Sequence, residues 1–167
     1  MSSHSQPSFE TSLRIRAAQA TDIASIVSIT NAAFAVETFL DGTRTDEAGV
    51  AGMMQKGCFL VADDSAGRMV ASVYIERLGT RGYFGMLAVD PLQQRRGLGR
   101  LMVEAAEENC RKQGCTAIDI TVLTLRPELP PYYRKLGYVE SGAEEFRPSR
   151  PLRPGVKCHC IVMSKPL

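Results

Sequence analysis

Residues 86–100 read MLAVDPLQQRRGLGR, an apolar run followed by a polar turn and two closely spaced glycines. From Leu98 onward, apolar and acidic residues recur at helical spacing on two different sides: Leu98, Leu101, Met102 and Ala105 on one side, and Glu104, Glu107 and Glu108 on the other. The pattern predicts a strand that passes through a tight loop into an amphipathic helix at 97–112, with the glutamates facing solvent.

The loop before this helix is a candidate anion site. Free backbone N–H groups and the positive end of the helix dipole meet at a helix start, and glycine lets the backbone approach a phosphate closely. Gly97 and Gly99 lie there, after Arg95 and Arg96. We therefore predict a pyrophosphate site; the alternative is a tight turn with solvated arginines. The mononucleotide and dinucleotide glycine fingerprints do not fit, because their further glycines and lysine are absent.

The rest of the chain predicts a mixed sheet. Residue alternation predicts strands at 13–17, 58–62, 69–76, 83–89, 117–122 and 156–163, and apolar periodicity predicts helices at 23–34, 46–54 and 131–136. The predicted fold class is α/β with α+β mixing. Its central sheet is mixed but mostly antiparallel, with about seven strands, helices on both faces and one parallel crossover through the helix at 97–112.

Composition excludes several classes of protein. The chain has 167 residues, 44% of them hydrophobic and 23% charged, with a formal net charge of +2, which is typical of a globular domain and gives no support to a general nucleic-acid binder. Arg147, Arg150 and Arg153 lie among prolines with few aromatic residues to stack on bases. We expect one domain at 13–167 after a flexible tail at 1–12.

The sequence predicts neither a membrane-spanning segment nor a metal site. No apolar run approaches a membrane span, and the N-terminal residues are polar, so we expect a cytoplasmic protein. The five cysteines are odd in number and include no Cys-x-x-Cys pair, which argues against a disulfide framework and a standard zinc site. Strand alternation would separate the sulfurs of Cys158 and Cys160 from the imidazole of His159.

Two segments resemble the GNAT superfamily of N-acetyltransferases. Residues 94–99 (QRRGLG) resemble its acyl-CoA motif, Q/R-x-x-G-x-G/A, and residues 131–138 (PYYRKLGY) resemble its later Y-x-K-L-G-F/Y segment. With the order of elements, the resemblance covers nearly the whole chain after the tail. It implies a splayed GNAT-like sheet, in which the strands at 83–89 and 117–122 part to form a cleft for the pantetheine arm of acetyl-CoA.

The resemblance also implies a set of cofactor contacts. The strand before the loop would hold the pantetheine arm through its backbone, and the loop and helix start would hold the phosphates: Leu87, Ala88 and Val89, then Gln94, Arg95, Arg96, Gly97, Leu98, Gly99 and Arg100. Many relatives carry an Asn before the tyrosine helix, whereas residues 123–130 here read LTLRPELP. Arg126 or a backbone group could replace that contact, and Glu128 could equally face the acceptor amine.

Acetyl transfer to an amine needs an oxyanion donor, a proton for the leaving thiolate and a route for the amine proton. Tyr133 matches the family's tyrosine near the CoA sulfur and is the predicted general acid, with Tyr132 as its competitor. Glu76, at a strand end, is the predicted base and Glu37 the runner-up. Phe39 and Arg44, in the connection between the first two helices, are predicted with Glu37 as acceptor contacts.

The predicted function is transfer of an acetyl group from acetyl-CoA to a primary amine of a small molecule or peptide, directly and within a ternary complex. The alternative is a non-catalytic acyl-CoA-binding sensor or interaction module on the same fold, against which the intact Tyr133 argues. We expect no metal, no nucleic acid and no membrane partner. A homodimer through an exposed edge strand near the C-terminus stays open.

Overall fold

The computed structural model describes residues 12–94 and 96–167, so the predicted tail at 1–12 lies, except for Ser12, outside the described residues. The elements in chain order are β1 (Arg14–Ala17), α1 (Ile23–Ala33), α2 (Glu47–Lys56), β2 (Cys58–Asp63), β3 (Met69–Leu78), β4 (Arg81–Val89), α3 (Leu98–Lys112), β5 (Ala117–Leu123), α4 (Leu129–Lys135), β6 (Val139–Glu145) and β7 (His159–Pro166). Across the described residues, every helix is too short or too polar to cross a membrane.

All seven strands form one sheet, in the order β1-β2-β3-β4-β5-β7-β6. Each neighbouring pair is antiparallel except β4 and β5, which are parallel and joined by α3. The predicted mixed, mostly antiparallel sheet and its one crossover are therefore confirmed. The last strand begins at His159, three residues later than its pattern indicates, and α4 begins at Leu129 because the two prolines that follow fit a first helical turn.

The sheet is splayed where β4 leaves β5. Their pairing covers only Arg81–Tyr83 of β4 and ends there, although β4 continues to Val89. On its other edge β4 carries a bulge, because the register with β3 slips so that Met86 and Leu87 together oppose Val73. A bulge bends its strand and increases the local twist. The end of β4 therefore diverges from β5 and leaves an open cleft.

Apolar clusters pack on both faces of the sheet. On one face Met102 and Val103 of α3 pack against core residues of β3, β4 and β5. On the other face Ile26 of α1 and Val50 of α2 pack against Phe59 of β2. The helices thus cover opposite faces, as predicted.

The buried face of α3 differs from the predicted one. Glu107, expected to face solvent, is only 3% exposed, whereas Leu101 is 41% exposed. The Glu107 carboxylate accepts a hydrogen bond from the Tyr138 hydroxyl at 3.0 Å and from the Lys165 ammonium at 3.0 Å. These partners come from the segment after α4 and from β7, so the pattern within α3 gives no sign of them. Because of these two contacts, the buried face of α3 includes Glu107.

We expect Lys165→Met to lower the free energy of unfolding by about 2–4 kcal/mol, because it leaves the buried Glu107 carboxylate without its cation. Lys165 is 25% exposed on its side chain, which lets water offset part of the loss. Urea denaturation measures the change, with Lys157→Met at an exposed position as the matched control. Equal stability of the two variants would contradict the role given to Lys165.

Candidate active site

A cavity of about 1040 Å³ occupies the cleft between the diverging ends of β4 and β5. Its wall includes predicted residues of every class: Leu87, Val89, Gln94, Gly97, Leu98 and Gly99 from the cofactor set, Tyr133 from the catalytic set, and Glu37 and Arg44 from the acceptor set. Five predicted residues of the described part lie off this wall: Ala88, Arg96, Arg100, Phe39 and Glu76. Arg95 lies outside the described residues.

The start of α3 opens onto this cavity through its two glycines. Gly97 precedes the helix with φ of +75°, a left-handed conformation that favours glycine. A Cβ on Gly99 would lie 2.9 Å from the Tyr132 hydroxyl, so a larger residue there would displace that side chain. Gly97 thus serves the tight turn into α3, and Gly97, Leu98 and Gly99, where the first-turn amides lack helical partners, all line the cavity.

Along β4, the strand that leads to this helix, neighbouring residues differ in whether they line the cavity. Ala88 is fully buried and lies off the cavity wall, whereas Leu87 and Val89 line it. The exposed Arg100 forms an ion pair with Glu104 at 3.0 Å, a surface pair of little energetic weight. Arg96 is also exposed.

Tyr133 lies on the cavity wall within an aromatic cluster. Its ring is 5.1 Å from that of Tyr132 and 6.0 Å from that of Phe84, measured between centroids, and the residue is 8% exposed. Burial raises the pKa of the Tyr133 phenol, so the hydroxyl stays protonated at neutral pH. Packing holds the ring in place, and the hydroxyl makes no hydrogen bond to another described residue. It is free to donate to a bound group.

Glu76, the predicted base, is not among the cavity-lining residues, although its cross-strand partner Tyr83 is. Its carboxylate accepts a hydrogen bond from the Tyr74 hydroxyl at 2.8 Å. Residues two apart on a strand share a face, and Tyr74 packs with the cluster beneath α1 and α2. The sequence places Glu76 at a strand end, whereas β3 continues to Leu78, and the Glu76 carboxylate is engaged by the Tyr74 hydroxyl. Its role as base stays a prediction.

Glu37, the runner-up, lies on the wall but is held by two arginines. Arg150 donates to one carboxylate oxygen at 2.9 Å and Arg126 to the other at 3.0 Å, and Glu37 is 4% exposed. Arg126 also binds Glu128 at 2.6 Å. Both Glu37 oxygens are thus occupied, so the residue organises the site and is poorly placed to accept a proton.

Arg150 joins two loops that close one end of the cavity, at 37–46 and 146–153, and Arg126 ties the connection between β5 and α4 to the same Glu37 carboxylate. Arg150 donates to the Gly42 carbonyl at 3.0 Å, and the Asp41 amide donates to the Pro151 carbonyl at 2.9 Å. Phe39 joins this contact through its carbonyl, which accepts from the Arg153 amide at 3.0 Å. Sequence reasoning missed Arg150, which lies 113 residues from Glu37 and shares no local pattern with it.

Two further side chains of the wall bear on the chemistry. Arg44 lies over the Phe34 ring, with its guanidinium carbon 5.4 Å from the centroid. Cys160 of β7 is buried, and that burial raises its thiol pKa to about 11. Within residues 12–94 and 96–167, no group of three or more His, Cys, Asp or Glu side chains could hold a metal ion.

Residues 23–149 match the family model described as acetyltransferase (GNAT) domain. The chain therefore belongs to the GNAT acetyltransferase family. Glucosamine 6-phosphate N-acetyltransferase 1 of Oryza sativa subsp. japonica is 33% identical over 93 residues, covering 51% of this chain and 54% of that protein. Probable glucosamine 6-phosphate N-acetyltransferase 2 of the same plant is 32% identical, covering 58% and 63%. The matches thus span little more than half of these relatives.

Solved structures share the fold over nearly the whole chain. The ribosomal-protein-S18-alanine N-acetyltransferase of Escherichia coli superposes with a TM-score of 0.74 at 20% identity, over 93% of this chain and 94% of that one. A GNAT superfamily phosphinothricin acetyltransferase from Sinorhizobium meliloti, solved in complex with AcCoA, gives 0.74 at 18% identity, over 93% and 88%. At this identity the likeness establishes the fold.

Proposed function

We propose that this protein is an acetyl-CoA-dependent N-acetyltransferase that acts on a primary amine of a small molecule or peptide. One observation carries the proposal: Tyr133 lies in the cleft that opens where the bulged end of β4 leaves β5, beside the start of α3. Membership of the GNAT family supports it. The named relatives act on amines of different kinds, which supports an amine acceptor in general.

The cleft fits acetyl-CoA in three respects. Beyond Tyr83 the β5-facing edge of β4 has no strand partner, so its amides and carbonyls are available to the pantetheine arm as to an added strand. The first turn of α3 supplies amides for the pyrophosphate. Arg95, Arg96 and Arg100 add charge, so loss of one arginine weakens binding without abolishing it.

The transfer follows from these placements. The amine nitrogen attacks the thioester carbonyl carbon, and a backbone amide of β4 near Leu87 or Val89 stabilises the oxyanion that forms. The C–S bond then breaks, and Tyr133 donates its phenolic proton to the departing thiolate. A proton lost from the amine nitrogen restores the balance. With Glu76 off the wall and Glu37 held by arginines, this proton leaves through water in the open cavity.

Direct transfer is favoured over an acyl-enzyme. Cys160 is the cysteine among the cavity-lining residues of the described part, and its raised pKa of about 11 keeps it a thiol at neutral pH. The thiolate is the nucleophilic form of cysteine, so Cys160 is a weak acceptor for the acetyl group. The amine therefore attacks acetyl-CoA itself.

Mass spectrometry of pooled amines and peptides incubated with the protein and acetyl-CoA tests the function. We expect an acetylated product, and no acetylated protein when acetyl-CoA is supplied alone. An acetyl group on Cys160 would contradict direct transfer. Binding of acetyl-CoA without any acetylated amine would instead favour the non-catalytic sensor.

We expect Tyr133→Phe to lower kcat by about 10²- to 10⁴-fold, because it removes the proton donor while the ring packing remains. The KM for acetyl-CoA should change little, since the phenol acts on the leaving thiolate. Initial-rate kinetics separate the two effects.

Tyr132→Phe is the matched comparison, because it removes the neighbouring hydroxyl from the same helix. We expect it to retain most of kcat. A larger loss in Tyr132→Phe than in Tyr133→Phe would transfer the acid role to Tyr132, the competitor that the sequence leaves open.

A further inference from the structure

Among the described residues, the cavity wall carries eight ionised side chains, and six of them pair with one another: Glu37 with Arg126 and Arg150, Arg126 with Glu128, and Glu145 with Arg147. The other two are Arg44 and Glu144. In the part of the chain that the structure describes, neither makes an ion pair or a side-chain hydrogen bond. Arg44 and Glu144 are thus the uncompensated cation and anion of the described part of the wall.

Arg44 is held where a charge is costly. Its guanidinium lies over Phe34, and desolvation lowers its pKa, with Arg150 adding to the effect and Glu37 opposing it. Glu37 is the acid whose charge reaches Arg44, but its two oxygens are bound to Arg126 and Arg150. Three arginines therefore surround one carboxylate, which leaves a positive potential at Arg44.

Glu144, on β6, lies on the same cavity wall. It pairs in register with Cys160 of β7, which is also part of the wall. Burial raises the pKa of the Tyr83 phenol, and Arg44 opposes this rise whereas Glu144 adds to it. Arg44, Glu144 and Tyr83 all line this cavity. One cavity wall thus carries both free charges.

We propose that the acceptor is an amine that also carries an anionic group, a carboxylate or a phosphate, which Arg44 binds while Glu144 faces the ammonium. This inference rests on the proposed function and narrows its acceptor class. A guanidinium binds a carboxylate or phosphate with two parallel hydrogen bonds, which suits either anion. A polyamine would meet repulsion at Arg44, so we expect polyamines to be poor acceptors.

The test uses amines that differ only in the anion: O-phosphoethanolamine against ethanolamine, glucosamine 6-phosphate against glucosamine, and γ-aminobutyrate against its amide. Each is titrated calorimetrically into the protein, free and saturated with CoA, and its acetylation is followed by mass spectrometry. We expect at least one anionic member to bind about 10- to 100-fold more tightly than its match. The phosphate and carboxylate pairs identify which anion the site takes.

Arg44→Gln should remove this preference by weakening the anionic member and sparing its neutral match, and Arg44→Lys should restore part of it. Arg153→Gln is the matched control, since Arg153 belongs to the facing loop but lies off the wall and is 57% exposed. Thermal melting verifies that each variant folds. Glu144→Gln should weaken both members of a pair, because both carry the ammonium.

Three outcomes are informative. Equal binding of every pair, or an equal loss for both members in Arg44→Gln, overturns the anionic acceptor. Anion-dependent binding through Arg44 without acetylation upholds the subsite and refutes the transferase. Acetylation of the neutral members alone upholds the transferase and overturns the subsite.

Discussion

The bulge in β4 is the constraint on which the rest of the site depends. Met86 adopts φ of +52°, a left-handed conformation that costs an ordinary residue about 1–2 kcal/mol. Packing offsets this strain, because the Met86 side chain is buried in the cluster under α1 and α2. Without the extra residue, β4 would continue beside β5 and its edge groups would be used within the sheet. The strained residue thus separates the strands and frees the backbone for a ligand.

A second constraint shapes the other end of the cavity. The buried Glu37 carboxylate brings together Arg126 and Arg150 from two distant segments, and Arg150 with backbone hydrogen bonds holds the loops at 37–46 and 146–153 against each other. Removing the carboxylate from between these two arginines would leave like charges close together, which is strongly unfavourable. This end of the cavity is therefore held by ion pairs, whereas the end at β4 and α3 is shaped by backbone geometry.

The fold could be predicted from the sequence because its signals are local. Strand alternation, the amphipathic pattern of α3 and the glycines at 97 and 99 depend on neighbours a few residues away. The family resemblance at 94–99 and 131–138 added the splayed sheet, which the structure shows where the pairing of β4 with β5 ends at Tyr83. The bulge itself has no local sign, since Met86 reads as an ordinary strand residue.

The acceptor site could be predicted only in part. Glu37 and Arg44 were found because they lie in the connection between the first two helices, but their partners Arg126 and Arg150 come from remote segments. Glu76 was chosen by its place on a strand end, but β3 continues to Leu78 and the Glu76 carboxylate is bound by the Tyr74 hydroxyl on the same strand face. Glu107 was placed in solvent because its partners, Tyr138 and Lys165, lie far along the chain and leave no sign in the pattern of α3.

Amide hydrogen exchange with and without acetyl-CoA tests the central claim, that the cleft opened by the bulge is the cofactor site. The account predicts slower exchange at residues 84–89 of β4 and at the start of α3 when acetyl-CoA is bound, since ligand groups occupy amides that have no strand or helix partner. Unchanged exchange in both segments, with protection elsewhere in the chain, would contradict it.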